Sequence, residues 1–129
     1  GDDRRVVCLS GDGGMGYHLA DLETALRLGL QVTTVVMNNA AFGFSYDVQR
    51  YLHTQSERLP AATEFLDLDF AAIAGAFGAH GETVVEPGEL VPAMRRAEES
   101  GKAALINVKT SKEVTPPVGR YAAAGGREI

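Results

Sequence analysis

The chain has 129 residues, 45% of them hydrophobic and 22% charged, which fits one globular domain with a sizeable core. A net charge of −5 without a basic cluster argues against a nucleic-acid surface, and no apolar run reaches the length of a membrane span. The one cysteine, Cys8, excludes an internal disulfide framework and fits a reducing compartment, so a cytoplasmic location is expected.

Gly1 to Arg4 read as a surface loop or cut end. Arg5 to Ser10 form a first strand whose VVCL core is apolar on both faces, the pattern of a central parallel strand with Cys8 buried inside it. Gly11, Asp12, Gly13, Gly14 and Gly16 then make a glycine-rich turn. A helix follows, with Leu19, Leu22, Ala25, Leu26 and Gly29 at helical spacing and Gly29 as its terminator. Val32 to Met37 are a second strand, closed by the amide pair Asn38 and Asn39.

This is a βαβ unit, and parallel strands put their carboxyl ends on one edge of the sheet. Asp12 is therefore expected to meet the two asparagines there, at the edge where open α/β sheets bind ligands. Glycines and a helix N-terminus suit a phosphate, which Asp12 alone would repel. A cation between them removes the conflict. Mg²⁺ suits the oxygen donors on offer, namely Asp12, an asparagine side-chain carbonyl and a backbone carbonyl, with diphosphate oxygens and water completing an octahedron. His18, at the helix start, is open to two readings, a phosphate contact or a half-exposed helix residue.

Phe42, Phe44, Tyr46 and Tyr51 concentrate aromatic residues in the segment 40–55, either walling the site or packing against a neighbouring domain; His53 carries no partner signal. Ser56 to Thr63 read as a connecting loop with Pro60. Asp67 to Phe77 read as a short helix with Asp67 or Asp69 as N-cap and Gly78 near the C-cap. His80 to Val85 are a strand, and a helix from Glu86 and Pro87 to Ser100 turns Leu90, Met94 and Ala97 inward. Its Arg95, Arg96, Glu98 and Glu99 form a solvated face, Gly101 ends it, and Ala103 to Lys109 make a last buried strand. The class is α/β, a mainly parallel sheet flanked by helices over residues 1–115, with 116–129 as a tail lacking a core pattern.

GDG at Gly11 to Gly13, followed across residues 14–37 by NN at Asn38 and Asn39, resembles the signature of thiamine diphosphate-dependent enzymes. LADLETALRLGLQVTTVVM and DFAAIAGAFGAHGETVVEPGELVPAMRRAEESGKAALINVKT extend the resemblance over residues 4–113, with Gly14 to Leu22 similar to the acetolactate synthase and lyase branch. The resemblance implies Asp12, Asn39 and the Ala41 carbonyl as Mg²⁺ ligands, and Gly11, Asp12, Gly13, Gly14, Asn39, Ala41, Phe42 and Gly43 as the thiamine diphosphate contact set. It implies carboligase, decarboxylase or lyase chemistry on 2-keto acids or related carbonyl compounds. It also implies a piece lacking the start of its diphosphate-binding domain, so the fold is expected to be incomplete. The activating glutamate would belong to a pyrimidine-binding domain of the same or a partner chain, in a homodimer or homotetramer, and the piece alone would be inactive. Two alternatives stand beside this. Gly11, Gly13 and Gly16 also spell G-x-G-x-x-G, the dinucleotide fingerprint, although an acidic residue is missing after the second strand. The other is a non-catalytic assembly or regulatory module of the same fold.

Overall fold

The computed structural model describes residues 5–52 and 59–114. Four strands, β1 (Val6–Gly11), β2 (Val32–Asn38), β3 (His80–Val84) and β4 (Ala104–Lys109), form one sheet in the order β1-β2-β4-β3, with every neighbouring pair parallel. The helices are α1 (Asp12–His18), α2 (Asp21–Arg27), α3 (Gly43–Leu52), α4 (Pro60–Thr63), α5 (Phe70–Phe77) and α6 (Leu90–Glu99), with a 3₁₀ turn at Pro87–Glu89 before the last.

The alternation of strand side chains divides the core in two. On one face Val36 and Leu105 pack with Met15 of α1, Leu22 of α2, and Phe70 and Ala74 of α5. On the other, Val35, Val84, Ala104 and Ile106 pack with Ala93 and Ala97 of α6. Small residues at these helix positions let the helices lie close to the sheet. Gly81 of β3 carries this to its limit, since a Cβ there would stand 2.0 Å from the Ala71 carbonyl oxygen of α5.

The expected α/β class is what the structure has, and the glycine stops, Gly101 (φ 66°) among them, behave as their chemistry requires. Gly29 (φ 64°) and Gly78 (φ 93°) take the left-handed conformation. Leu30 donates its N–H to the Ala25 carbonyl (2.8 Å) and Ala79 to that of Ala74 (3.0 Å), closing both helices with the paired bonds of a Schellman end. Asp69 is the N-cap of α5, accepting from the Ala72 N–H at 3.0 Å, while Asp67 turns to the ammonium of Lys109.

Several boundaries differ. The glycine-rich stretch is no free turn, because α1 begins at Asp12 and takes in Gly13, Gly14 and Gly16. The single expected helix breaks at Leu19 and Ala20, where Leu22 and Glu23 bond back three residues rather than four. Pro60 to Thr63 are a helical turn within the expected loop, and α5 starts at Phe70, after an extended approach. The charged face on α6 is exposed as expected at Arg95, Arg96, Glu98 and Glu99, and within it Arg96 also grips Glu82 of β3 and Glu98 pairs with Arg5.

β1 departs most from expectation. It lies at the sheet's edge, and Val6, Val7 and Leu9 are 54%, 53% and 71% exposed, with Cys8 exposed too. An apolar run states a demand for cover, and among the described residues only β2 pairs with this strand. The side chain of Tyr51, His53, and the tail 116–129 lie outside the described residues. No helix among those described is long and apolar enough to cross a membrane.

Two outcomes follow from this packing. Gly81→Ala should cost about 3 kcal/mol or more in urea denaturation, because the clash is with backbone that cannot turn aside. An unchanged midpoint would show that α5 sits farther from β3. The second concerns Glu82, whose carboxyl the hydrogen-bonded Arg96 guanidinium holds below the usual glutamate range. Stability from a depressed carboxylate is present above its unfolded pKa and is lost as pH falls through the folded one. Glu82→Gln should therefore lower Tm at pH 7, and the gap to the parent should close below about pH 4. A gap of constant size down to pH 3 would contradict this.

Candidate functional site

β1 and β2 run in register, Gly11 opposite Met37, so both chains leave the sheet at the same edge. Gly11 is extended (φ −83°, ψ 163°) and makes the corner into α1, which sets Asp12 on the helix's first turn. Asp12 is 5% exposed. Its Oδ1 accepts the N–H of Gly13 at 2.8 Å, and its Oδ2 accepts the N–H of Ala41 at 3.1 Å. Asn39 Oδ1 accepts that same Ala41 N–H, also at 3.1 Å. The expected carboxylate, amide and backbone positions thus converge on one point, although Asp12 and Ala41 are far apart in sequence.

The turn that carries Asn39 is held from three sides. Asn38, the last residue of β2, accepts the Ala40 N–H on Oδ1 (3.1 Å), and Ala40 takes a left-handed φ of 55°. That conformation is unfavourable for a residue with a Cβ, so it needs the surrounding bonds to hold it. Phe42 donates its N–H to the Thr63 carbonyl (2.9 Å) and Phe65 to that of Ala40 (2.8 Å), forming an isolated antiparallel bridge between Ala41 and Glu64. These bonds flank Ala41 and leave its own N–H for Asp12 and Asn39.

The other expected contact residues crowd around this point. A Cβ on Gly13 would stand 2.8 Å from the Phe42 ring, and one on Gly14 would stand 2.9 Å from Ser10 Oγ. Phe42 lies edge-on to Phe65 at 5.0 Å between centroids, with Tyr17 at 6.3 Å on its other side. Gly43 starts α3 directly against the Asn39 side chain. His18 is exposed and bonds Asp21 at 3.0 Å, which fits the half-exposed helix reading. Among the described residues no group of three or more His, Cys, Asp or Glu could hold a metal, and the oxygens that meet at the Ala41 N–H are one carboxylate and one amide oxygen.

Two residues of this edge carry roles that the pattern did not reveal. Asn38 is 2% exposed, and its Nδ2 donates to the Leu68 carbonyl (3.0 Å) and Asn107 Oδ1 (3.1 Å). It is a structural clamp, while its neighbour Asn39 faces the site. Asp47 of α3 is 4% exposed, and its Oδ1 has no hydrogen-bond partner. Burial raises its carboxyl above the ordinary aspartate value, Arg50 opposes that rise, and Glu113 adds to it. Asp47 lines a cleft of about 490 Å³ together with Met37, Asn39, Phe44 and Ser111. A larger hollow of about 1290 Å³, between Val7, Leu30, Val91 and Met94, includes the opposite, amino end of β1 and β2.

Residues 1–108 match the family described as "Thiamine pyrophosphate enzyme, C-terminal TPP binding domain". A probable acetolactate synthase of Mycobacterium bovis is 34% identical over 116 residues, which is 88% of this chain and 20% of that protein. A 2-hydroxyacyl-CoA lyase of Arabidopsis thaliana is 32% identical over 108 residues, 82% of this chain and 19% of the relative. Among solved structures, benzoylformate decarboxylase from Polynucleobacter necessarius superposes with a TM-score of 0.77 at 28% identity, covering 88% of this chain and 21% of the other. The chain thus spans about a fifth of the length of the curated relatives it matches. Family match, fold and motif agree: the chain belongs to the thiamine pyrophosphate enzymes, as their C-terminal TPP binding domain.

Proposed function

We propose that this chain is the diphosphate- and Mg²⁺-binding part of a thiamine diphosphate-dependent enzyme that acts on 2-keto acids or related carbonyl compounds. The observation that carries the reading is the convergence of Asp12 Oδ2 and Asn39 Oδ1 on the Ala41 N–H. In an extended segment a residue's N–H and C=O point to the same side. The Ala41–Glu64 bridge uses neither of them, so the Ala41 carbonyl shares the side on which its N–H meets Asp12.

The donor set fits the ion. One carboxylate, one amide oxygen and one carbonyl are hard ligands of the kind Mg²⁺ accepts, in a number that leaves places for substrate phosphates and water. Asp12, Asn39 and Ala41 would hold the metal, and the backbone at Gly11, Gly13 and Gly14, which carries no side chain of its own, would approach the diphosphate. Phe42 and Gly43 shape the far wall. When bound, thiamine diphosphate supplies a nucleophilic thiazolium carbon and an electron sink for the carbanion. Asp12 distinguishes this from a dinucleotide site, where an anionic side chain beside a pyrophosphate without a cation would be repulsive, and β2 ends in asparagine rather than in the acid that binds ribose.

The site assigned here contains no activating glutamate, which this reading puts on a pyrimidine-binding domain of the same or a partner chain, in a homodimeric or homotetrameric cytoplasmic enzyme. The 129-residue chain alone should then fail to decarboxylate pyruvate or form acetolactate above the free-cofactor background. Turnover well above that background would refute the division of labour.

The metal assignment has its own test, calorimetric titration of thiamine diphosphate into the intact protein with and without EDTA. Chelation should abolish binding. Asp12→Ala should weaken it by on the order of 100-fold or more, since loss of supporting groups around a metal already costs about 10–100-fold. Asn39→Ala should act in the same direction. Binding that ignores EDTA and survives Asp12→Ala would overturn the assignment.

A further inference from the structure

Asp47 has no part in the metal site as assigned, yet its environment is costly. Nearly all buried polar atoms in folded proteins have a hydrogen-bond partner, and an unmet one carries its full desolvation penalty. Asp47 is 4% exposed with Oδ1 unpartnered. The charged groups around it bond to other carboxylates. Arg50 bonds Glu113 at 2.9 Å, Lys112 bonds Glu64 at 2.5 Å, and the Tyr46 hydroxyl reaches Glu113 at 3.4 Å. These contacts tie the segment after β4 to α3 and build one wall of the cleft, so Arg50 offsets the Asp47 charge only in part and no group bonds its Oδ1. The rest of the lining is apolar at Met37, Phe44 and Val114 and hydroxylic at Thr110 and Ser111, and none of these reaches Asp47 Oδ1. At about 490 Å³ the cleft has the size of a small-molecule site, and it opens beside Asn39.

We propose that Asp47 is a specificity-determining residue that accepts a hydrogen bond from a hydroxyl or amine group carried by the carbonyl substrate. Rotation about its Cβ–Cγ bond, a soft torsion, presents either carboxylate oxygen to the cleft. A donor entering the cleft meets the carboxylate oxygen turned toward it, whereas a substrate with only an apolar group there strips that oxygen of water without replacing the bond. This gives discrimination by hydrogen bonding, which is stronger than discrimination by size alone. The inference rests on the reading of the chain as part of a thiamine diphosphate enzyme, and its test separates the two.

The intact enzyme, loaded with thiamine diphosphate and Mg²⁺, is assayed on two pairs: pyruvate against 3-hydroxypyruvate, and benzoylformate against 4-hydroxybenzoylformate. Wild type should favour the hydroxylated member of at least one pair by about tenfold or more in kcat/KM, mainly through KM. Asp47→Leu should erase that preference, and Asp47→Asn, which keeps one acceptor oxygen, should restore part of it. Cofactor titration should be unchanged in both variants, which shows that they fold and that the metal site is untouched. A preference that persists in Asp47→Leu overturns the proposal. So does a wild type that binds cofactor but turns over neither hydroxylated compound, or prefers the unsubstituted one. A wild type that does not bind the cofactor overturns the underlying reading, and the inference with it.

Discussion

One backbone N–H, that of Ala41, is the point on which the arrangement of this site depends. It receives Asp12 from the end of β1 and Asn39 from its own turn, so one donor fixes two oxygen-bearing side chains relative to each other. Such sharing is weaker per bond than a dedicated pair, and it holds only because the backbone around it is fixed independently. The parallel register of β1 and β2 sets the distance between the strands' ends. The bridge to Glu64 stops the turn from swinging away. Two oxygens drawn to the same hydrogen repel each other, and a cation among them relieves that repulsion. That is the electrostatic reason the proposed reading puts a cation beside Asp12 and Asn39.

The neighbouring Asn38 solves a different problem. A strand ending in a polar side chain at a buried edge needs partners for four hydrogen-bonding positions. Leu68, Asn107 and the Ala40 N–H supply three of them, and Asn107 in turn donates to Thr83. This chain of bonds runs from β2 through β4 to β3, across the carboxyl edge of the sheet. It keeps the turn from relaxing out of the left-handed conformation at Ala40, and thereby sets where Asn39 points.

The fold class, the strand–helix alternation and the meeting of Asp12 with Asn39 were legible because each follows from local pattern. Strand runs, helical spacing and glycine stops are encoded within a few residues. The parallel unit then brings the distant ends together by topology alone. What sequence could not supply was long-range. An apolar strand such as β1 looks the same whether its faces are covered or bare, so its position at the edge was invisible. The break at Leu19 and Ala20 interrupts a continuous apolar spacing without any proline or glycine to mark it. The distinct duties of Asn38 and Asn39 depend on Asn107 and Leu68, which lie far along the chain. Asp47 sat in an aromatic-rich segment as one polar residue among several, and its burial depends on the Lys112 and Glu113 segment folding over α3.

The position of β1 has a consequence for the site itself. Asp12 is joined to β1 through Gly11, and Asn39 to β2 through Asn38. β2 is a central strand, with Val35 and Val36 buried and neighbours on both sides. β1 has one neighbour, and Val6, Val7 and Leu9 stand open to solvent. Covering such side chains stabilises by about 1.5–3 kcal/mol each. In the described residues that stabilisation is unclaimed on the strand that carries the only charged ligand assigned to the metal. The Asn39 half of the site is thus fixed by a central strand, while the Asp12 half rests on an edge strand paired only with β2, on Met15 of α1 in the core and on the Phe42 ring lying on Gly13. Any surface that packs on β1 would stiffen Asp12 before it touches the site, and so would couple cover on that strand to affinity at the proposed metal site.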